Sequence, residues 1–206
     1  HVALERLSQT VSHEFSPLWI GKTIEVDYKA DRGVYPVSLV KNTNHFHVLL
    51  AEVGGSSTGR ADRPVFTFEI LTPEGAVYGH DNAPRVQVPV TYMPYSLEAG
   101  EGPEVLSEGH VNTARLLYDD DCAYKLIVYD TRTGLRVWDY DLMRLLKSRK
   151  PILRPDGSAL PMPEFLDRQS EWRMVILYKE GENPSGFVAL SIEVNGWIVW
   201  RNDIEV

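Results

Sequence analysis

The dipeptide Asn195-Gly196 stands between two runs of apolar and β-branched residues, Phe187–Val194 and Trp197–Trp200. A two-residue turn of type I′ needs positive φ at both central positions, and Asn-Gly meets that need at the lowest steric cost. The pair commits the end of the chain to an antiparallel hairpin in which Val194 faces Trp197. Side chains alternate along a strand, so Trp197 and Trp200 are expected on opposite faces, one in the core and one at the surface.

The same period of two runs through much of the sequence. In Thr23-Ile24-Glu25-Val26-Asp27-Tyr28 apolar and polar residues alternate, the pattern of a sheet with one solvated face. Further strands are expected at 34–40, 45–53, 65–71 and 76–78, and around Val86, Val88 and Val90. More follow at 111–118, 123–130, 135–140 and 172–178. Thr72-Pro73-Glu74-Gly75 and Thr131-Arg132-Thr133-Gly134 are turn signals between them. Two helices interrupt this series. Leu4, Leu7, Val11 and Phe15 recur at spacings of three and four, predicting a short amphipathic helix over 3–15 that Pro17 stops. Leu142, Leu145 and Leu146 share a face within 141–150, basic residues load the C-terminal end, and Pro151 closes it. Residues 151–171 carry four prolines and read as an irregular loop, and the acidic, glycine-rich stretch 95–110 as a loop or linker.

These elements predict an all-β, mainly antiparallel fold, a β-sandwich or jelly-roll-like architecture with a short N-terminal helix and one further helix near 141–150. Residues 1–206 are expected to form a single sandwich domain. The alternative is two small β domains, 1–95 and 110–206, divided at the acidic stretch. With 206 residues, 43% of them hydrophobic, the chain can bury a core without covalent staples.

The net charge of −8 repels phosphate backbones and anionic lipid, which argues against nucleic-acid and peripheral-membrane roles. No apolar run approaches the ~20 residues that span a bilayer, so no membrane insertion is expected within this chain. Cys122 is the sole cysteine, and Asn183 is followed by Pro184, so neither an intrachain disulfide nor a usable glycosylation sequon exists. Both absences favour the cytoplasm, with a bacterial envelope location as the alternative if a signal has been removed.

Four groups of residues carry candidate chemistry. His45 and His47, two apart on a predicted strand, project to one face where both can bind one metal. The string His45-x-His47-x4-Glu52, with Gly59 beyond, resembles part of the first cupin motif. That resemblance implies a metal-dependent enzyme in a jelly-roll barrel, with His45, His47 and Glu52 as ligands and His80 or His110 completing the set. Leu39 stands where the motif expects an upstream glycine, and no second cupin motif is present. Asp119, Asp120 and Asp121 lie between strands, close to Asp130, Asp139 and Asp141, and offer hard oxygen ligands for calcium. Arg144, Lys147, Arg149, Lys150 and Arg154 form a basic cluster suited to an acidic protein partner, and Trp200 adds an aromatic surface. Gly55-Ser56-Ser57-Thr58-Gly59 matches the nucleophile-elbow string, but a strand rather than a helix is expected after it, and the elbow requires the helix.

The expected function is therefore non-catalytic: an interaction or assembly module that binds a protein partner through loops or an exposed strand edge. A cupin-like enzyme and a carbohydrate-binding module are the alternatives. No cofactor is expected beyond a divalent metal at one of the sites above, and the oligomeric state is open.

Overall fold

Alternating burial gives each long strand an inner and an outer side. The computed structural model describes residues 9–21, 24–26, 34–54, 63–73, 79, 82–83, 88–100, 104–118, 123–148, 152–182 and 186–202. Along the first half of the chain lie β1 (Gln9–Val11), β2 (Trp19–Gly21), β3 (Leu39–Lys41), β4 (Thr43–Glu52), β5 (Phe66–Thr72) and β6 (Val90–Tyr92). The second half carries β7 (Ser96–Glu98), β8 (Val105–Ala114), β9 (Lys125–Asp130), β10 (Arg136–Asp141), β11 (Glu171–Glu180), β12 (Phe187–Val194) and β13 (Trp197–Arg201). Two short helices, α1 (Leu142–Lys147) and α2 (Met162–Arg168), fall between β10 and β11.

The strands form a sandwich. One sheet has the order β1-β6-β5-β9-β10, the other β13-β12-β11-β4-β8-β7, and β2-β3 make a small separate pair. Pairing is antiparallel except for β1 with β6 and β4 with β11. Both large sheets contain strands from both halves of the sequence. Phe46, Val48 and Leu50 of β4 and Trp172, Met174 and Ile176 of β11 turn inward against Phe66, Phe68 and Ile70 of β5, and all are essentially sealed from solvent. Phe66 packs edge-on to Tyr178 and to Phe187, with ring centres 5.0 and 4.9 Å apart, which joins the two layers.

A polar ladder fixes the register beside this core. Buried Asn44 accepts a hydrogen bond from the Trp172 indole (3.1 Å) and donates to the Ala114 carbonyl (3.0 Å). The Asn112 amide donates to the Asn44 carbonyl (3.2 Å). Each satisfies a group that burial would otherwise leave unpaired.

The hairpin at the end of the chain forms as expected: Val194 pairs with Trp197, and Asn195 and Gly196 take φ of 49° and 83°. The Asn195 side chain also accepts from the Arg173 amide (2.7 Å), which ties the turn to β11. α1 is present too, with Asp141 capping it and Leu142, Leu145 and Leu146 buried.

Several expectations are corrected. No helix spans the described part of 3–15: residues 9–11 form β1, and Val11 and Phe15 pack against the core. Pairing with β6 overrides the helical spacing there. The stretch 95–110 is no simple loop, because it contains β7 and the first six residues of β8. Its polar residues alternate with inward Ser107 and Gly109, which hid a strand behind a linker-like composition. Residues 151–171 hold α2, whose first turn accommodates Pro163 because amides there need no intrahelical partner. Ile24–Val26, inside the cleanest alternation of the sequence, belong to no strand, and the rest of that alternation lies outside the described residues. The strands expected at 76–78 and at Val86 lie outside the described residues.

Candidate functional site

Period-two alternation turns His45 and His47 of β4 away from the core that receives Phe46 and Val48. The register then decides their company. His47 stands opposite His110 of β8, Leu49 opposite Glu108, and His45 opposite Glu171 of β11. Three imidazoles and two carboxylates thus meet on the outer side of the six-stranded sheet. The His110 ring stacks on His47 (4.4 Å between centres, 13° between planes) and lies parallel to His45 (5.2 Å, 1°).

The polar contacts form two lines. In one, His47 Nε2 is 2.6 Å from Glu108 Oε1. In the other, Lys41 Nζ donates to Glu171 Oε1 (2.6 Å), Glu171 Oε2 meets His45 Nδ1 (3.0 Å), and His45 Nε2 meets His110 Nδ1 (3.0 Å). An ionised carboxylate only accepts, so His45 donates from Nδ1. Its Nε2 then accepts from His110 Nδ1–H, which leaves the His110 lone pair on Nε2. Burial holds the His110 pKa below its ordinary value, helped by His47 and His45 and opposed by Glu108 and Glu98. For Glu171, burial raises the pKa, but the hydrogen bonds from Lys41 and His45 outweigh it and the net shift is downward. Tyr95 lies over the cluster, its ring 6.2 Å from His110 and 6.4 Å from His45.

The structure therefore brings together only part of what the sequence proposed. His45 and His47 share a face, and His110 joins them. Glu52 does not: alternation puts it on the opposite side of β4, and Glu108 takes its place beside His47 and His110. The histidines also lie on an open sheet face rather than inside a barrel, which corrects the cupin comparison. His80, Cys122, the string 55–59, and Asp119, Asp120 and Asp121 lie outside the described residues. The nearby acids are otherwise engaged. Asp130 accepts from Arg132, Asp139 from Lys125 and Arg136, and Asp141 caps α1.

The basic cluster is dispersed. Lys147 donates to the Tyr118 hydroxyl (2.7 Å), Arg154 pairs with Glu164, and Arg144 is exposed on α1. Arg149 and Lys150 lie outside the described residues. Trp200 is half-buried, edge-on to Tyr140 at 6.0 Å, whereas Trp197 is exposed. Sequence reasoning passed over Glu108 and Glu171. The signal available was Glu108-x-His110, the same two-residue spacing as His45-x-His47.

The family model for fimbrillin-A associated anchor proteins Mfa1 and Mfa2 matches residues 1–203. The chain belongs to that family. A solved candidate adhesin from Bacteroides ovatus is 40% identical with a TM-score of 0.80, over 98% of this chain and 64% of its own. A candidate polysaccharide-binding protein from Bacteroides thetaiotaomicron is 25% identical with a TM-score of 0.69, over 94% of this chain and 63% of its own. The fimbrial anchor protein Mfa2 from Porphyromonas gingivalis, 15% identical, shares the fold (TM-score 0.65, over 95% of this chain and 64% of its own). This chain thus spans a little under two thirds of each relative. No curated protein matches it. Membership of the anchor family, with the adhesin likeness, supports an adhesion or assembly module rather than an enzyme. It also overturns the preference for the cytoplasm and points to the bacterial cell envelope. Cysteine and sequon usage misled because their absence is compatible with either compartment. Among the described residues no helix is long and apolar enough to cross a membrane.

Proposed function

We propose that this chain is the sandwich part of a fimbrial anchor and holds a fimbrial protein subunit at the bacterial surface. The observation that carries this reading is the family match over residues 1–203. Residues 1–206 are taken as one folding unit, a reading supported by the mixing of strands from both halves in both sheets.

The contact is assigned to β13. This strand ends the six-stranded sheet, and among the described residues no strand pairs with its outer side. Such an edge can receive a partner strand through its main-chain groups. β13 has no proline and a single charge, Arg201, while Trp197 and Ile198 are 48% and 49% exposed. α1 packs beside it and carries the exposed Arg144, a charge that would favour an acidic partner surface. Trp200, half-buried against Tyr140, secures the strand to the core.

The test is co-purification of the chain with fimbrial subunits of the same bacterium. Ile198→Lys should weaken capture about tenfold, the equivalent of about 1.4 kcal/mol. Surface substitutions cost little, so the melting temperature should stay within about 2 °C. Undiminished capture by the variant refutes the edge contact, and failure of the unaltered chain to capture any subunit refutes the anchor role. A saccharide ligand is the second reading, favoured by the polysaccharide-binding candidate and by the exposed Trp19 on β2. A glycan array without binding removes it.

A further inference from the structure

We propose that His47, His110 and Glu108 form a binding site for one zinc-like divalent transition-metal ion, with His45 and Glu171 orienting His110. One ligand atom from each of the three residues lies within 4.8 Å of the others, on strands that take no part in the proposed anchor contact. Two imidazole nitrogens and one carboxylate oxygen suit zinc, copper or nickel, and not calcium or magnesium, which prefer an all-oxygen shell.

The surrounding contacts supply what a bare cluster lacks. A metal-bound histidine usually donates its second ring nitrogen to a group that fixes its tautomer. His110 has that arrangement already, because the line Lys41–Glu171–His45 occupies its Nδ1 and leaves the lone pair on Nε2. The proton between His47 Nε2 and Glu108 Oε1 is the one a bound cation displaces. Tetrahedral bonds of about 2.0–2.1 Å set ligand atoms about 3.3 Å apart, so the 2.6 Å contact opens by about 0.7 Å, within reach of side-chain rotation. The supporting strands are long and paired on both sides, so the ligands sit on rigid backbone. Arg173, the β11 neighbour of His47, is the cation closest in register, and it reaches to Glu193 on β12 (3.5 Å). Three protein ligands leave a fourth position open to water or to a side chain of a bound partner.

The experiment is calorimetric titration of the chelator-treated chain with zinc chloride, and with calcium and magnesium chloride in parallel. One zinc ion per chain at micromolar affinity or tighter is expected, with no heat from calcium or magnesium. His110→Ala should weaken binding about a hundredfold and the near-isosteric Glu108→Gln about tenfold or more. His45→Phe keeps all three ligands and should still weaken it about tenfold, because the tautomer is no longer imposed. Glu52→Gln should change nothing. Absence of zinc uptake overturns the proposal. So does binding that survives both His110→Ala and Glu108→Gln, which places the ion elsewhere. Circular dichroism checks folding, and if His110→Ala does not fold, Glu108→Gln decides. None of these outcomes depends on capture of a fimbrial subunit.

Discussion

Gly109 offers a direct test of how the two layers fit. It lies on the inner side of β8, between Glu108 and His110 of the outer cluster. A Cβ placed there would stand 2.7 Å from Phe68 Cε1, 2.9 Å from Phe68 Cζ and 3.1 Å from Leu97 Cδ1. Comfortable carbon contacts lie near 3.5–4.0 Å, so the ring would have to retreat by about 1 Å. Phe68 is 1% exposed and has no space to retreat into. Overpacking of this kind costs about 1–3 kcal/mol. Replacing glycine by alanine returns about 0.4–1 kcal/mol by restricting the unfolded chain. The net expectation for Gly109→Ala is a loss of about 1–2 kcal/mol. At about 2–4 °C per kcal/mol for a chain of this size, the melting temperature should fall by about 2–8 °C. Urea denaturation of Gly109→Ala, Phe68→Leu and the double variant completes the assay. The smaller leucine side chain makes room for the added methyl group, so the double variant should be more stable than the sum of the single losses predicts. A melting temperature that holds or rises in Gly109→Ala, or strict additivity in the cycle, would refute the steric argument.

Two further expectations can be checked on the same material. Asn44→Ala leaves the Trp172 N–H buried without its acceptor and should cost about 1–3 kcal/mol in urea denaturation; a loss below about 0.5 kcal/mol would mean that another group receives the indole. The hydrogen bonds from Arg132 hold the buried Asp130 carboxyl below its ordinary pKa, although burial opposes them. A carboxyl depressed on folding contributes stability that is complete above its unfolded value, near 4, and is lost as pH falls through the folded one. Stability of the native chain should therefore drop more steeply below about pH 4 than that of Asp130→Asn, and parallel curves would refute the assignment.

The sequence by itself determined features whose physics is local. Asn195-Gly196 specifies a hairpin because left-handed φ at two adjacent residues is a property of those residues, and the turn forms as read. Period two placed His45 and His47 on one face for the same reason. Helix α1 was legible from its leucine spacing, its basic end and Pro151. Where tertiary pairing competes with local pattern, the local pattern lost. Val11 and Phe15 keep their helical spacing, yet Val11 ends a strand held by β6 and Phe15 lies beyond it, and Ile24–Val26 alternate outside any strand. Composition misled at 95–110, because a strand whose inward positions are serine and glycine looks like a linker until Phe68 is seen filling the space above Gly109.

The candidate site was half legible for a related reason. His45 and His47 announce themselves within three residues, but Glu108 is 61 residues from His47, and Glu171 is 126 from His45. Only the register of β8 and β11 against β4 brings those side chains together. A shift of one residue in either pairing would turn Glu108 and His110, or Glu171, toward the core and dissolve the cluster. That register is set by the buried asparagine ladder and by the packing of Phe46 and Trp172, contacts between residues far apart in sequence that exist only once the sheets have assembled.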